Sequence, residues 1–324
     1  MIVQKWGMLY SCITNEDKIS LISTKILKDK DMKKAICVGI NNYPGVFNDL
    51  KGCVNDANDW AELLTEFDFD VSVLLDEQGT RENIKSALRD LVSSLNSGDY
   101  GVFTYSGHGT YNRDTSGDEP DSYDEALYVY DGILLDDELR EILDDLNPQA
   151  SLVFVSDSCY SGTVTRVAED EMLYAKPRFV PVVGYSPLTP IRQRFLAEAE
   201  MLELLLTGCS DSELSYDAYI NGRYNGAMSR YAIDAIRTNR EATFNEFYTA
   251  LRDALPSDDY PQTPQLEGSD ENKSRVLFVP LPADEPGPEP EPEPEPGPEP
   301  EPQPEPDSPG CFLGLIQQIG RLFK

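Results

Sequence analysis

Six short apolar runs, each bounded by Gly, Asp or Pro, constrain this chain more than any other feature. They are 34–40 (KAICVGI), 69–75 (FDVSVLL), 100–105 (YGVFTY), 151–156 (SLVFVS), 201–207 (MLELLLT) and 275–279 (RVLFV), and they read as buried strands. Between them lie segments with one apolar face at helical spacing. One covers 54–66, with Ala57, Trp60, Ala61 and Leu64; another covers 81–95, with Ile84, Leu88, Leu91 and Leu95. Further helices are expected over 136–146, 228–238 and 243–255, the last opening on a Thr243-x-x-Glu246 capping box. Strand and helix alternate, so the expected fold class is α/β, with a sheet of about six mostly parallel strands flanked by helices on both faces.

The pattern stops near residue 280. From Pro280 to Pro309 nearly every second residue is proline, mostly in Pro-Glu repeats, and 283–310 hold ten acids and no base. Such a tract favours polyproline II, repels itself and builds no core; at about 3.1 Å per residue it could reach roughly 90 Å. In the last segment, 311–324, Phe312, Leu315, Ile316, Ile319, Leu322 and Phe323 share one helical face, with Arg321 and Lys324 opposite or terminal. Too short to span a bilayer, it is a candidate for docking on a membrane surface or a groove of a protein partner. The expected organisation is an N-terminal extension of unknown role (1–32), a folded domain (33–280), a Pro/Glu-rich linker assigned as disordered (281–310) and a C-terminal amphipathic segment (311–324).

Charge and cysteine usage narrow the function classes. A formal charge of −31 repels phosphate backbones, which excludes nucleic acid as the expected partner and suits a site that attracts basic substrates. The six cysteines show no CxxC pairs, and with one histidine they cannot supply tetrahedral zinc spacing. Dispersed cysteines and an N-terminus without a signal-peptide pattern lead to an expectation of a reducing, cytoplasmic location, with peripheral membrane association through the last segment.

That histidine, His108, lies in Ser106-Gly107-His108-Gly109, straight after the run YGVFTY. Flanking glycines free the backbone for a tight turn, so the imidazole can project over the carboxyl edge of the sheet, where ligands bind in such folds. By itself a lone histidine is more often a hydrogen-bonded turn residue. A second element, Asp157-Ser158-Cys159-Tyr160-Ser161-Gly162, follows SLVFVS in the same way, with Cys159 lying 51 residues after His108. A thiolate attacks carbonyl carbon well, and an imidazole beside it can ionise the thiol and then protonate the leaving amine, so the pair suffices for acyl transfer. Most free cysteines are small buried hydrophobes, a bland reading weakened here by the Asp and Ser neighbours.

Several ordered blocks carry a family resemblance: KAICVGINNYP, LKGCVNDA (50–57), YSGHG (105–109), GDEPDSYDEALYVYD (117–131), DDEL (136–139), DSCYSG (157–162) and TGCSDSELSYDA (207–218). Over roughly 34–280 the sequence resembles the metacaspases and their bacterial relatives among the caspase-like cysteine peptidases. The spacing also matches the caspase pattern of a histidine about fifty residues before the cysteine. The resemblance implies a caspase-like fold and hydrolysis of protein or peptide substrates after Arg or Lys, with His108 as general base and Cys159 as nucleophile. It implies an oxyanion held by the backbone N–H groups of Gly109 and Cys159. The pocket for the basic side chain would be acidic, with Asp56 and Asp157, lined by Cys53 and Ser106, and Asp211 as a further candidate. Many relatives need calcium, and the matching carboxylates are Asp124, Asp136 and Asp137, although Arg166 stands where the family commonly has Asp. The segment Thr163–Arg194, with Arg166, Lys176, Arg178, Arg192 and Arg194, is expected to be an exposed loop open to self-cleavage. The competing class is a catalytically silent caspase-like binding module recruited through its tail; legumain-like and clostripain-like peptidases share the His-Gly and Cys geometry but not the DSC and LKGCVNDA blocks.

Overall fold

The structure, a computed structural model, describes residues 31–45, 49–113, 123–159, 175–180, 201–210 and 213–282. The side chains of residues 112, 113, 123 and 124 are outside the description, as are Asp211, most of the 163–194 segment, nearly all of the 1–32 extension, and the linker and C-terminal segment from 283 onward.

A six-stranded sheet forms the centre. Its strands are β1 (Lys33–Gly39), β2 (Asp70–Leu75), β3 (Tyr100–Ser106), β7 (Ser151–Asp157), β9 (Leu204–Thr207) and β12 (Gln265–Glu267), in the order β12-β9-β7-β3-β1-β2. All neighbours run parallel except β12, which closes one edge antiparallel to β9. Successive side chains of a strand point to opposite faces, and both faces are apolar. On one face Ala35, Cys37, Val102, Val153, Val155 and Leu206 pack under helices α1 (Cys53–Glu66), α4 (Ala227–Thr238) and α5 (Phe244–Ala254), through Trp60, Leu64, Ile233 and Phe247. On the other, Ile36, Val38, Phe103, Leu152 and Phe154 pack under α2 (Arg81–Ser94) and α3 (Asp136–Leu143), through Ile84, Leu88, Leu91, Ile142 and Leu143. Buried on both sides, the strands need no polar alternation. A short helix α6 (Asp270–Lys273) follows β12, and no helix among the described residues is long and apolar enough to cross a membrane.

The sequence expectation holds for five of the six strands and for the five helices, with shifted ends. Residues 201–207 shorten to β9, and 136–146 shorten to α3. The run 275–279 is not a strand. Leu277 and Phe278 are 1 % and 2 % exposed while Val276 and Val279 point outward, and the Phe278 ring packs on Phe67, Phe69, Tyr100 and Phe244. The apolar residues there plug an aromatic cluster; Phe278 has φ +56°, which interrupts extended backbone.

Two small antiparallel sheets, unannounced by the hydrophobic pattern, flank the carboxyl edge of the large one. One orders β4 (His108–Arg113), β5 (Tyr123–Val129) and β6 (Gly132–Leu135) as β4-β5-β6. The other orders β8 (Ala175–Pro177), β10 (Tyr216–Ile220) and β11 (Arg223–Gly226) as β11-β10-β8.

Candidate active site

Strand register sets the histidine block and the cysteine block side by side at neighbouring strand ends. Neighbouring strands β3 and β7 end in register at Ser106 and Asp157, and His108 and Cys159 each lie two residues beyond. Gly109 sits so close to the second block that an added Cβ would lie 2.6 Å from the carbonyl carbon of Cys159. Glycine there is what lets the two blocks meet. His108 is held by its backbone: its N–H donates to the Tyr43 hydroxyl at 2.9 Å, its carbonyl accepts from the Tyr105 hydroxyl at 2.9 Å, and the Tyr43 ring lies 5.0 Å from the imidazole. The Cys159 thiol donates to the carbonyl of Ser215 at 3.3 Å and accepts from the Ser215 N–H at 2.7 Å. Both are buried, at 1 % and 0 % exposure.

The site is filled by the chain itself. Strand β8 leads into Arg178, whose carbonyl oxygen accepts from the N–H of Gly109 at 2.9 Å and of Cys159 at 3.2 Å. These are the two groups expected to hold an oxyanion. Upstream, the Arg178 N–H donates to the Ser215 carbonyl at 2.9 Å, and Pro177, Lys176 and Ala175 pair antiparallel with Tyr216, Asp217 and Ala218 of β10. Downstream, Val180 N–H donates to the Gly109 carbonyl at 3.0 Å. Arg178 was expected on an exposed loop, yet it is fully buried; charge pairing inside the domain outweighs the polarity of its segment.

Its guanidinium enters a pocket of three carboxylates: Asp56 at 2.5 Å, and Asp157 and Asp217 at 3.2 Å each. A guanidinium and carboxylates removed from water require such mutual pairing. Each carboxylate is also held by neutral donors. Asp217 accepts from the N–H groups of Lys51 and Gly52, both at 2.8 Å. Asp157 accepts from Ser229 N–H at 2.9 Å, within the first turn of α4, and from the Ser215 hydroxyl. Asp56, in the first turn of α1, accepts from Asn225 and from Gly226 N–H at 2.9 Å each. Burial pushes Asp56 up to about 6; Arg178 pulls it down and Asp157 adds to the rise.

Among the sequence candidates, Asp56 and Asp157 therefore meet in one pocket. Cys53 is buried beside it at the start of α1, where burial pushes its thiol well above the ordinary range despite the nearby Arg178. Ser106 is buried at the end of β3, its carbonyl accepting from Ile40 N–H; it supplies none of the hydrogen bonds to the guanidinium recorded above. Asp211 lies outside the described residues. The acid that sequence reasoning missed is Asp217, which sits inside the quoted TGCSDSELSYDA block as a buried carboxylate on a strand, between Tyr216 and Ala218. Asp217 and the adjacent Ala218 are both buried, so the short strand offers no alternation that would have marked the acid.

The calcium expectation finds no matching ligand set: among the described residues no group of three or more His, Cys, Asp and Glu side chains gathers as a metal site would. Asp136 and Asp137 occupy the first turn of α3, where carboxylates complement the helix dipole, and the Asp124 side chain is outside the description. The described cysteines, Cys37, Cys53, Cys159 and Cys209, are free thiols.

The chain has relatives among known proteins. Residues 32–274 match the family model of the caspase domain. The chain is 30 % identical over 295 residues to metacaspase-1A of Aspergillus terreus, covering 76 % of this chain and 73 % of the relative. It is 30 % identical over 298 residues to metacaspase-1 of Cryptococcus neoformans, covering 76 % and 64 %. A crystal structure of a protein from Geobacter sulfurreducens superposes with a TM-score of 0.61 at 27 % identity, covering 77 % of this chain and 99 % of that one. The chain belongs to the caspase domain family, as a metacaspase-like cysteine peptidase.

Proposed function

We propose that the chain is an endopeptidase that cleaves peptide bonds after Arg or Lys through a Cys159–His108 dyad. The observation that carries this reading is the seat of Arg178. Its guanidinium lies among three carboxylates while its carbonyl oxygen accepts from Gly109 and Cys159 N–H, so the segment lies as a substrate would. Both guanidinium NH₂ groups are used, NH1 toward Asp157 and NH2 toward Asp56 and Asp217. A lysine offers one ammonium at the end of a flexible stem, so Arg outranks Lys.

In the reaction, His108 accepts the thiol proton and the sulfur adds to the carbonyl carbon before the cleaved bond. The developing oxyanion is stabilised by the two N–H groups. The C–N bond breaks as the imidazolium passes its proton to the leaving amine, and water then hydrolyses the thioester, regenerating thiol and imidazole. With His108 and Cys159 buried, an outside substrate reaches them only after residues 175–180 leave.

The test is hydrolysis of reporter peptides ending in Arg, Lys or Asp by the purified full-length chain, with and without added calcium. Cleavage should rank Arg, then Lys, with Asp negligible. Cys159→Ala should lose activity by at least about a thousandfold with an unchanged circular dichroism spectrum. Activity persisting in Cys159→Ala, or a preference for Asp, would overturn the reading.

A further inference from the structure

We propose that the site has a second specificity pocket, formed by Tyr111, Leu214 and Cys209, for a large apolar and preferably aromatic side chain immediately after the basic residue. The proposal rests on reading Arg178 as the residue before the cleaved bond. With the Arg178 carbonyl between the two N–H donors, the leaving amine belongs to Phe179.

Phe179 is only 9 % exposed. Its ring lies 5.6 Å from that of Tyr111 with the planes 31° apart, in a cluster with Cys159, Cys209, Leu214 and half-buried Tyr216. This cluster is separate from the two cores that flank the sheet. Its members come from β4, from the turn after β9 and from the approach to β10, the segments that frame the sulfur.

The backbone on this side is clamped without regard to side chain. Val180 N–H donates to the Gly109 carbonyl at 3.0 Å, and the Thr110 hydroxyl donates to the Val180 carbonyl at 2.7 Å. Gly109 and Phe179 form a parallel bridge. These bonds fix register, so the side chain after the basic residue is carried to the apolar cluster whatever it is. A large apolar group fills that space; glycine leaves it empty; aspartate places a charge among apolar groups, which is strongly unfavourable. On the other side of the bond the ladder with β10 is mainly backbone pairing, and Lys176 turns its ammonium outward to the Asp49 carbonyl. Selectivity beyond the basic residue therefore concentrates on the leaving side.

The experiment offers the full-length chain a series of internally quenched peptides, Ala-Lys-Pro-Arg-X-Val, with X as Phe, Tyr, Leu, Ala, Gly or Asp. A fluorogenic Arg amide that lacks residue X is assayed in parallel. The expected kcat/KM for Phe, Tyr and Leu exceeds that for Gly and Asp by roughly tenfold or more, the discrimination an apolar pocket can give. Tyr111→Ala should bring the Phe-to-Gly ratio to within about twofold, and Tyr111→Phe should keep it. Because the ratio is read within each variant, a general loss of rate cannot imitate it. If Tyr111→Ala fails to fold, Leu214→Ala reads the same ratio, and the wild-type series stands alone. Equal rates for all X, with the Arg amide still cleaved, overturn the pocket and leave the cleavage reading intact. No cleavage of the Arg amide removes both.

Discussion

Three carboxylates around one guanidinium leave the pocket with surplus negative charge, and the neutral donors on Asp56, Asp157 and Asp217 make that surplus tolerable when Arg178 leaves. A hydrogen bond to a charged group is worth about 1.5–3 kcal/mol. Asp217→Asn should therefore lower kcat/KM on Arg peptides by about 10- to 100-fold, with a smaller effect on peptides carrying a neutral residue there; steady-state rates on the two peptides check it. The pH response follows from Asp56, raised by burial from 3.8 to about 6 with Arg178 in place. Since Arg178 itself lowers that value, a bound guanidinium favours the charged carboxylate. The empty pocket therefore holds Asp56 higher still, so arginine binding should weaken as pH falls toward about 6 and level off below it, seen as a rising KM for Arg peptides relative to neutral ones. For folding the sign is opposite: the Asp56 contribution is fully present below its unfolded value and is lost as pH rises through about 6. Asp56 and Asp157 were legible because they follow or open recognisable blocks. Asp217 was not, because a strand of five residues shows too little alternation for one buried acid to stand out.

At the level of elements, β8 and β10 join through the same antiparallel ladder that an extended peptide uses when it adds to a sheet edge. A segment of the chain thus takes the position proposed for substrate, with the Arg178 carbonyl accepting from the two N–H donors. Incubating the purified chain should give one new pair of fragments, residues 1–178 and 179–324, measured by intact mass. Arg178→Gln should remove this cut, and Cys159→Ala should show none; cuts only at other basic residues would mean that the docked bond is not the one processed. The sequence pointed to self-cleavage within Thr163–Arg194 but not to this bond, because the extended shape of AKPRFV comes from pairing with residues some forty positions away. The small sheet β4-β5-β6 was hidden for a related reason. HGTYNR has no apolar alternation, and Asp124 and Glu125 mask the run Ala126–Val129, although Ala126, Leu127 and Val129 are buried. Helices read more easily, since one apolar face at 3.6 spacing is visible from a single segment.

For the molecule as a whole, the question is where the folding unit ends. The family match stops at 274, but the core does not. Leu277 and Phe278 are 1 % and 2 % exposed, and Phe278 joins rings from both ends of the domain: Phe67 and Phe69 after α1, Tyr100 of β3, and Phe244 of α5. The N–H groups of Phe244 and Leu277 add backbone bonds to Arg275 and Ala242 carbonyls, so this segment ties α5 to the sheet. Removing one buried aromatic side chain typically costs about 3–5 kcal/mol, and total stabilities are only about 5–15 kcal/mol. A chain ending after Ser274 loses Leu277, Phe278 and those bonds together. It should fail to give a cooperative thermal transition. A chain ending after Pro282 keeps all of them and sheds only the Pro-Glu tract, whose composition builds no core, and the short segment 311–324 beyond it. It should retain hydrolysis of Arg peptides and a Tm within about 2 °C of the full chain, a shift that corresponds to about 1 kcal/mol or less for a domain of this size. Calorimetry and peptide assays on the two truncations decide the point: a folded 1–274 chain would show that the aromatic cluster is dispensable, and an unstable 1–282 chain would assign a structural role to the tail.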